Sequence, residues 1–118
     1  MSYPASFNDP APTPTVDYPK PDRLLLGNPK RTTWNRYENQ GVFMGEWACD
    51  VGKWKISFGN DEHEFFQVIS GRCIVSDEAG RSTEYGPGDA CILSPGFSGS
   101  FEVTEPLLKR YAIFDRST

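Results

Sequence analysis

Histidine is almost absent from this sequence of 118 residues, which contains only His63. Protein sites for first-row transition metals usually collect three or four nitrogen, oxygen or sulfur donors. Alternation along a strand places His63 on the opposite face from its neighbours Glu62 and Glu64, so these three side chains cannot converge on one ion. We therefore interpret His63 as a surface residue at a strand start, with a metal ligand as the alternative.

Paired cysteines are lacking as well. Cys49, Cys73 and Cys91 sit singly inside apolar runs, without a C-x-x-C pair. This pattern argues against a disulfide framework and favours buried, reduced thiols in a cytoplasmic protein. A nucleophilic cysteine, the alternative, would need a neighbouring base or positive charge, and none is evident in the flanking sequence.

Long apolar runs and an excess of positive charge are also missing. No uncharged apolar stretch approaches the roughly 20 residues that span a bilayer, and the N-terminus lacks a basic start followed by an apolar block. Acidic residues outnumber basic ones by 16 to 12, and the formal charge is −4. Because a phosphate backbone would be repelled on average, we expect neither a nucleic-acid nor a membrane partner.

Helical periodicity is absent too, and the chain length suits one domain. Seven of the ten prolines precede residue 30, which predicts an extended, proline-rich arm over residues 1–30. From residue 31 to 118, glycines separate short runs rich in β-branched and aromatic residues, which predicts an all-β domain. The predicted strands are Thr32–Trp34, Val42–Cys49, Lys53–Phe58, Glu64–Ile69, Arg72–Ser76, Ser82–Tyr85, Ala90–Leu93, Ser100–Val103 and Leu107–Phe114.

Two segments with characteristic spacing resemble the conserved motifs of the cupin superfamily. The first runs from Glu64 to Gly71, and the second is the Gly-Pro-Gly-Asp turn at residues 86–89 with the strand and Pro-Gly corner that follow it. Together with the flanking residues, the region from about 41 to 114 resembles the small single-domain cupins related to EutQ, an ethanolamine-utilisation protein, and to the ureidoglycine aminohydrolases. The resemblance implies a double-stranded β-helix, or jelly roll.

The resemblance also shows where this chain departs from the metal-dependent cupins. Those proteins place two histidines shortly before the first-motif glutamate, at positions that are Phe58 and Asn60 here, and a last histidine where this chain has Gly99. Of the four usual ligands only Glu64 remains. We therefore expect no cofactor, and manganese or zinc is the fallback.

Period-two alternation predicts which side chains share the interior of such a barrel. Glu64 would enter an apolar interior, where Lys109 is the best candidate for a neighbouring cation and Tyr111 lies two residues further along the same face. One interpretation is a buried ion pair that fixes strand register. The other is a pocket in which the three are candidate catalytic or binding groups for a small polar metabolite.

Aromatic residues have a similar double interpretation. Trp47, Trp54 and Phe66 either fill the core or form a wall beside a ligand. We assign all three as candidate ligand-binding residues.

The sequence supports three functional hypotheses of different classes. The first is a metal-independent cupin that binds a small polar metabolite. The second, which rests on the resemblance alone, is an enzyme acting on a small nitrogen-containing metabolite, like the ureidoglycine aminohydrolases, or an ethanolamine-utilisation accessory protein. The third is an interaction module. We expect a homodimer, since jelly rolls of this size commonly pair through sheet edges and an extended arm can lie across a neighbouring subunit.

Overall fold

The computed structural model describes residues 4–116, and all of its regular structure there is β-strand. No helix of this part of the chain is long and apolar enough to cross a membrane. The strands are β1 (Thr15–Asp17), β2 (Leu24–Leu26), β3 (Arg31–Asn39), β4 (Val42–Cys49), β5 (Gly52–Ser57), β6 (Glu62–Asp77), β7 (Ser82–Tyr85), β8 (Ala90–Leu93) and β9 (Ser98–Asp115). The all-β prediction is therefore confirmed.

Two long antiparallel strands, β6 and β9, form the spine of the fold. The C-terminal half of β9 pairs with β4, its N-terminal half pairs with β5, and β6 runs along almost its whole length. In the same way, the first half of β6 pairs with β8 and the second half with β7. β6 and β9 are thus each shared between the two halves of the curled sheet, and this arrangement is a jelly roll.

The spine bends where its register shifts, between residues 68 and 73 of β6. Gly71 lies at this bend with φ +84°, and a methyl group there would overlap the carbonyl oxygen of Pro106 in β9. Pro106 has no N–H to donate, so it suits a bulge better than a regular ladder. The predicted strand pairs on either side of this point are therefore halves of single bent strands.

The core lies between the two halves of the curled sheet. Alternate residues of the spine point into it, and Phe66, Val68, Cys73 and Val103 are each at most 1% exposed. Burying such side chains contributes roughly 1.5–3 kcal/mol each for the larger ones. The residues between them in the same strands point to the outer face of the sheet.

The described part of the N-terminal segment, residues 4–30, contributes two strands that the sequence analysis missed. β1 pairs with β3 and β2 pairs with β5, so both add to edges of the curled sheet. Each is only three residues long and lies among prolines, which hides the strand pattern. Residues 1–3 of the predicted arm and residues 117–118 lie outside the described residues.

Replacement of Gly71 by alanine tests the bend of the spine. We expect Gly71→Ala to lower the free energy of unfolding by at least about 2 kcal/mol more than Gly80→Ala, in urea titrations followed by tryptophan fluorescence. Gly80 is a matched control because its φ of +85° is equally strained for alanine while its Cβ would meet open space. Equal losses for the two variants would contradict the close approach of β6 and β9.

Candidate functional site

A cavity of about 560 Å³ opens on the concave side of the curled sheet. Its lining comes from β1, β3, β4, β5, β6, β8 and β9, so every strand except β2 and β7 contributes. Most of the wall is aromatic or aliphatic, and a few polar groups converge on it. Small-molecule sites commonly have this size and composition.

An ion pair lies at the inner end of this cavity. Lys109 Nζ of β9 donates to Glu64 Oε2 of β6 at 2.8 Å, and the side chains are only 7% and 12% exposed. Because both charges are largely removed from water, each depends on the other for compensation. The pair also ties the two spine strands together from the inside.

Aromatic rings surround the ammonium group on its other sides. Lys109 Nζ lies 4.2 Å from the ring centroid of Phe66, 4.6 Å from that of Trp47 and 5.0 Å from that of Phe101. The negative faces of aromatic rings attract a cation at these distances. Three rings and one carboxylate therefore hold the lysine head group in a fixed position.

Tyr111 lies on the same face of β9 as Lys109, but its hydrogen bond goes elsewhere. Its hydroxyl donates to Asn35 Oδ1 of β3 at 2.7 Å, and Asn35 Nδ2 donates to Glu38 at 3.4 Å. Burial, together with the negative charges of Glu64 and Glu46, raises the pKa of Tyr111 to about 12. The phenol is thus a neutral donor in the cavity wall.

Arg31 stands at the rim of the cavity. Its guanidinium lies 5.3 Å from the ring centroid of Trp54 and forms a two-point contact with Asp17 of β1, at 2.9 and 2.7 Å. This geometry is the strong, parallel pairing of arginine with a carboxylate. The arm is therefore fastened beside the cavity by an ion pair.

The structure brings five of the six predicted site residues to this one cavity, namely Glu64, Lys109, Tyr111, Trp47 and Trp54. Phe66 is different, because it is fully buried behind the Lys109 ammonium and cannot reach a ligand. The assignment of Phe66 to ligand contact is corrected accordingly. His63 is exposed on the outer face of β6, as a surface residue would be.

Sequence reasoning missed Arg31 and Asn35, which also line the cavity. Only Thr32–Trp34 was predicted as a strand in this region, whereas β3 runs from Arg31 to Asn39. Alternation along the full strand would have placed Arg31, Thr33 and Asn35 on one face. The signal was present, but polar residues concealed the strand.

A family model described as the EutQ-like cupin domain matches residues 38–111, which is well over half of the chain. The chain belongs to this family. The predicted resemblance to small cupins is confirmed by this match. No curated protein matches the chain.

Solved structures of other cupins share the fold. One is a protein of unknown function of the DUF861 family from Pseudomonas syringae pv. tomato, which is 26% identical to this chain with a TM-score of 0.75. The match covers 86% of this chain and 43% of that protein. The chain thus spans less than half the length of that protein. EutQ of Clostridium difficile is 18% identical to this chain, with a TM-score of 0.67. The match covers 87% of this chain and 83% of EutQ, and at this identity it supports the fold alone.

The described lining of the cavity contains two carboxylates, Glu38 and Glu64, and no histidine or cysteine. Phe58 lines the cavity at one of the positions where metal-dependent cupins carry histidine, and a side chain at Gly99 would overlap the carbonyl oxygen of Ser76. In residues 4–116, no three His, Cys, Asp or Glu side chains lie together in a way that could hold a metal ion. Glu64 is left, and its carboxylate pairs with an ammonium group.

The three cysteines of this cupin are buried, as expected, and have no disulfide. Burial raises the pKa of Cys49 from 9.0 to about 12 and that of Cys73 to about 11. Cys91 is shifted in the same direction, mainly by burial. Since the thiolate is the nucleophile, none of the three is suited to nucleophilic chemistry near neutral pH.

Removal of one partner tests whether the Glu64–Lys109 pair is desolvated. We expect Lys109→Met to lower the free energy of unfolding by about 3–5 kcal/mol, because a buried carboxylate loses its compensation. The double variant Glu64→Leu/Lys109→Met should recover most of that loss, since apolar groups then replace both charges. Urea unfolding followed by tryptophan fluorescence measures both.

The surface pair of Arg81 and Asp77, with Arg81 85% exposed, supplies the control. Arg81→Met should change the stability by less than about 1 kcal/mol. A similarly small effect of Lys109→Met would mean that the cavity pair is solvated.

Alkaline pH provides a separate test of the buried thiols and phenol. Their folded pKa values lie above the ordinary 9.0 for Cys49 and Cys73 and 10.0 for Tyr111. The unfolded chain therefore releases these protons first, and the stability present below pH 9 is lost as the pH rises towards 12. We expect the free energy of unfolding to fall by more than about 1 kcal/mol per pH unit between pH 9 and 11, measured by urea titration at each pH. A flat profile there would contradict burial of these groups.

Proposed function

We propose that this chain is a cupin that binds a small polar metabolite in its cavity without a metal ion. The observation that carries the proposal is the ion pair of Glu64 and Lys109 at the inner end of a cavity of about 560 Å³. A desolvated ion pair is a costly feature in a fold that could fill the same space with apolar side chains. Ligand recognition gives a reason to keep it.

The pair can recognise hydrogen-bond donors of a ligand. Glu64 accepts from Lys109 through Oε2, and an ionised carboxylate has about four acceptor sites. It therefore keeps the capacity to accept an N–H or O–H from a bound molecule. Because Lys109 already neutralises the carboxylate, a neutral ligand fits here without leaving an uncompensated charge.

The remaining walls suit the non-polar part of such a molecule. Trp47 is half-buried and stacks obliquely on Trp54, with ring centroids 6.1 Å apart, and Phe58 and Ile56 extend the apolar wall. Rings of this kind bury much area at little cost in conformational entropy. At the rim, Arg31 and Glu38 carry opposite charges, which favours a ligand of low net charge.

The position of Lys109 supports binding over catalysis as the role of the pair. Its ammonium is held by a carboxylate and three rings, so it is a fixed donor and lacks freedom to move between reacting atoms. EutQ is less than 25% identical to this chain, so the similarity does not support any particular reaction, since one fold hosts many functions.

A screen of small polar metabolites by thermal shift, followed by calorimetry, tests the proposal. A compound that raises the melting temperature of the wild type should bind Glu64→Gln or Tyr111→Phe at least about tenfold more weakly. The first variant loses a charged acceptor and the second loses the phenol oxygen as an acceptor, and each such hydrogen bond is worth about 1.4 kcal/mol or more. Glu84→Gln is the matched control, since Glu84 also pairs with a basic residue, Arg72, but lies exposed on β7. Calorimetry below the melting temperature of each variant separates lost binding from lost folding.

Binding that is unaffected by either cavity variant would refute the site. The metal-independent part has its own measurement, which is elemental analysis of protein prepared without a histidine tag. We expect less than about 0.1 equivalents of manganese or zinc, and no change of ligand affinity in EDTA, because the donor set does not suit these ions. A stoichiometric metal removed by EDTA together with ligand binding would overturn it.

A further inference from the structure

Three side chains form a chain of hydrogen bonds from the rim of the cavity towards its inner end. Tyr111 Oη of β9 donates to Asn35 Oδ1 of β3 at 2.7 Å, and Asn35 Nδ2 donates to Glu38 Oε1 at 3.4 Å. All three side chains line the cavity, and Glu38 is exposed at its rim. This set is called the Glu38–Asn35–Tyr111 chain below.

The carboxylate at the rim fixes the direction of each hydrogen bond in the Glu38–Asn35–Tyr111 chain. An ionised carboxylate accepts hydrogen bonds and donates none, so Asn35 turns its NH2 group towards Glu38. The amide oxygen is left for Tyr111, and this oxygen also only accepts. The single proton of the Tyr111 hydroxyl is therefore committed to Asn35, and the remaining lone pair of its oxygen is available to the cavity.

A bulge in β3 brings Asn35 and Glu38 to the same face of the sheet. The register of β3 against β4 shifts between Asn35 and Tyr37, where two steps along β3 correspond to one step along β4. In a regular strand, side chains three positions apart point to opposite faces. The additional residue of the bulge changes this alternation, so both side chains line the cavity.

A glycine in β4 leaves room for the hydrogen bond between Asn35 and Tyr111. Gly45 pairs with Asn35 on one side and with Tyr111 on the other, so it lies between them in the sheet. A Cβ at this position would lie 2.8 Å from the Tyr111 hydroxyl oxygen. The two side chains therefore meet above a residue that has no side chain. The bulge and the glycine both serve the same chain of hydrogen bonds.

A second acceptor lies close to the Tyr111 hydroxyl. Glu64 of β6 pairs with Ile113, two residues beyond Tyr111 in β9, so Glu64 and Tyr111 are diagonal neighbours. Diagonal neighbours lie about 7–8 Å apart, within reach of long side chains. Lys109 donates to Glu64 Oε2, which leaves Oε1 able to accept. The inner end of the cavity thus presents two acceptors, Glu64 Oε1 and Tyr111 Oη, beside the donor Lys109.

We propose that Asn35 determines the ligand selectivity of the cavity by making Tyr111 an acceptor, and that the ligand presents a primary carboxamide to the inner end. The NH2 group of a carboxamide donates to Glu64 and Tyr111, and its carbonyl oxygen accepts from Lys109. A carboxamide is neutral, which matches the compensated charges of Glu64 and Lys109. Asn35 is a positioning residue, because it acts through Tyr111. The inference rests on the proposed function, since it specifies the ligand of the same cavity.

Benzamide and acetophenone are matched probes for this inference. They share a ring and a carbonyl group, and acetophenone has a methyl group where benzamide has NH2. We expect the wild type to bind benzamide at least about tenfold more tightly than acetophenone, because the hydrogen bonds of the NH2 group are absent from the second complex. Two-dimensional NMR titrations with up to about 20 mM probe measure both dissociation constants, since molecules this small bind in the millimolar range.

Replacement of Asn35 tests whether its amide sets this preference. In Asn35→Leu the Tyr111 hydroxyl loses its acceptor and can donate into the cavity, so the preference for benzamide should fall at least about fivefold. The double variant Asn35→Asp/Glu38→Gln exchanges the carboxylate and the amide. It should keep the preference, because Tyr111 again donates to a fixed acceptor. Circular dichroism and melting temperature confirm that each variant is folded.

Thr33→Val is the matched control for the change at Asn35. Thr33 lines the same wall of the cavity, two residues earlier in β3, and is not a member of the Glu38–Asn35–Tyr111 chain. The preference for benzamide should therefore persist in Thr33→Val. A preference lost in Asn35→Leu and kept in both the double variant and Thr33→Val supports the inference.

The contrary outcomes separate this inference from the proposed function. Equal binding of the two probes by the wild type, weakened for both in Glu64→Gln, overturns the inference and leaves the proposed function intact. A preference that persists in folded Asn35→Leu, or is lost in the folded double variant, overturns the role of Asn35. Absence of binding of both probes overturns the carboxamide, whereas the proposed function fails only if the metabolite screen is negative as well.

Discussion

The ion pair between Glu64 and Lys109 is the constraint on which the interior of this cupin depends. Two charges are held almost out of water, and the energy needed for that is offset by a hydrogen bond of 2.8 Å and by three aromatic faces. These contacts require Trp47, Phe66 and Phe101 to be where they are. Three of the chain's aromatic side chains thus form the environment of one ammonium group.

The bent spine explains how the pair comes to lie inside a cavity. Lys109 follows the bulge of β9 at Pro106, and Glu64 precedes the bulge of β6 at Gly71. Because the bend turns both half-strands over the second sheet, side chains that alternate inwards converge from two directions. A straight pair of strands would place the same residues on a flat face open to solvent.

The sequence predicted the cavity residues on strands with clear period-two alternation and missed those on strands without it. Glu64, Lys109 and Tyr111 lie on faces that the strand pattern predicts, and the cupin-like spacing placed two of those strands inside. The hydrogen bond from Tyr111 to Asn35 spans 76 positions of the chain, and no local pattern encodes the register between β3, β4 and β9 that produces it. β1 and β2 were missed for a different reason, because each is only three residues long and lies among prolines.

Phe66 shows a second limit of prediction from alternation. The pattern correctly gives its inward direction, yet an inward residue can line the cavity or lie beneath another side chain. Which of the two occurs depends on how far the neighbouring strands project. Here the long side chain of Lys109 crosses over the ring of Phe66, so the lysine faces the cavity and the phenylalanine supports it.

The nature of the central cation limits what the cavity can do. Where metal-dependent cupins carry histidine, this chain has Phe58, Asn60 and Gly99, and the positive charge beside Glu64 is an ammonium joined covalently to β9. An ammonium donates up to three hydrogen bonds, accepts none and offers no open coordination position. Under the proposed function, a ligand would meet a hydrogen-bond donor whose position is set by the fold, and selectivity would come from the shape of the cavity and from the placement of its donors and acceptors. Trp47 and Phe101 help to fix the position of the Lys109 ammonium, so under the proposed function their replacement would weaken ligand binding while both charges remain.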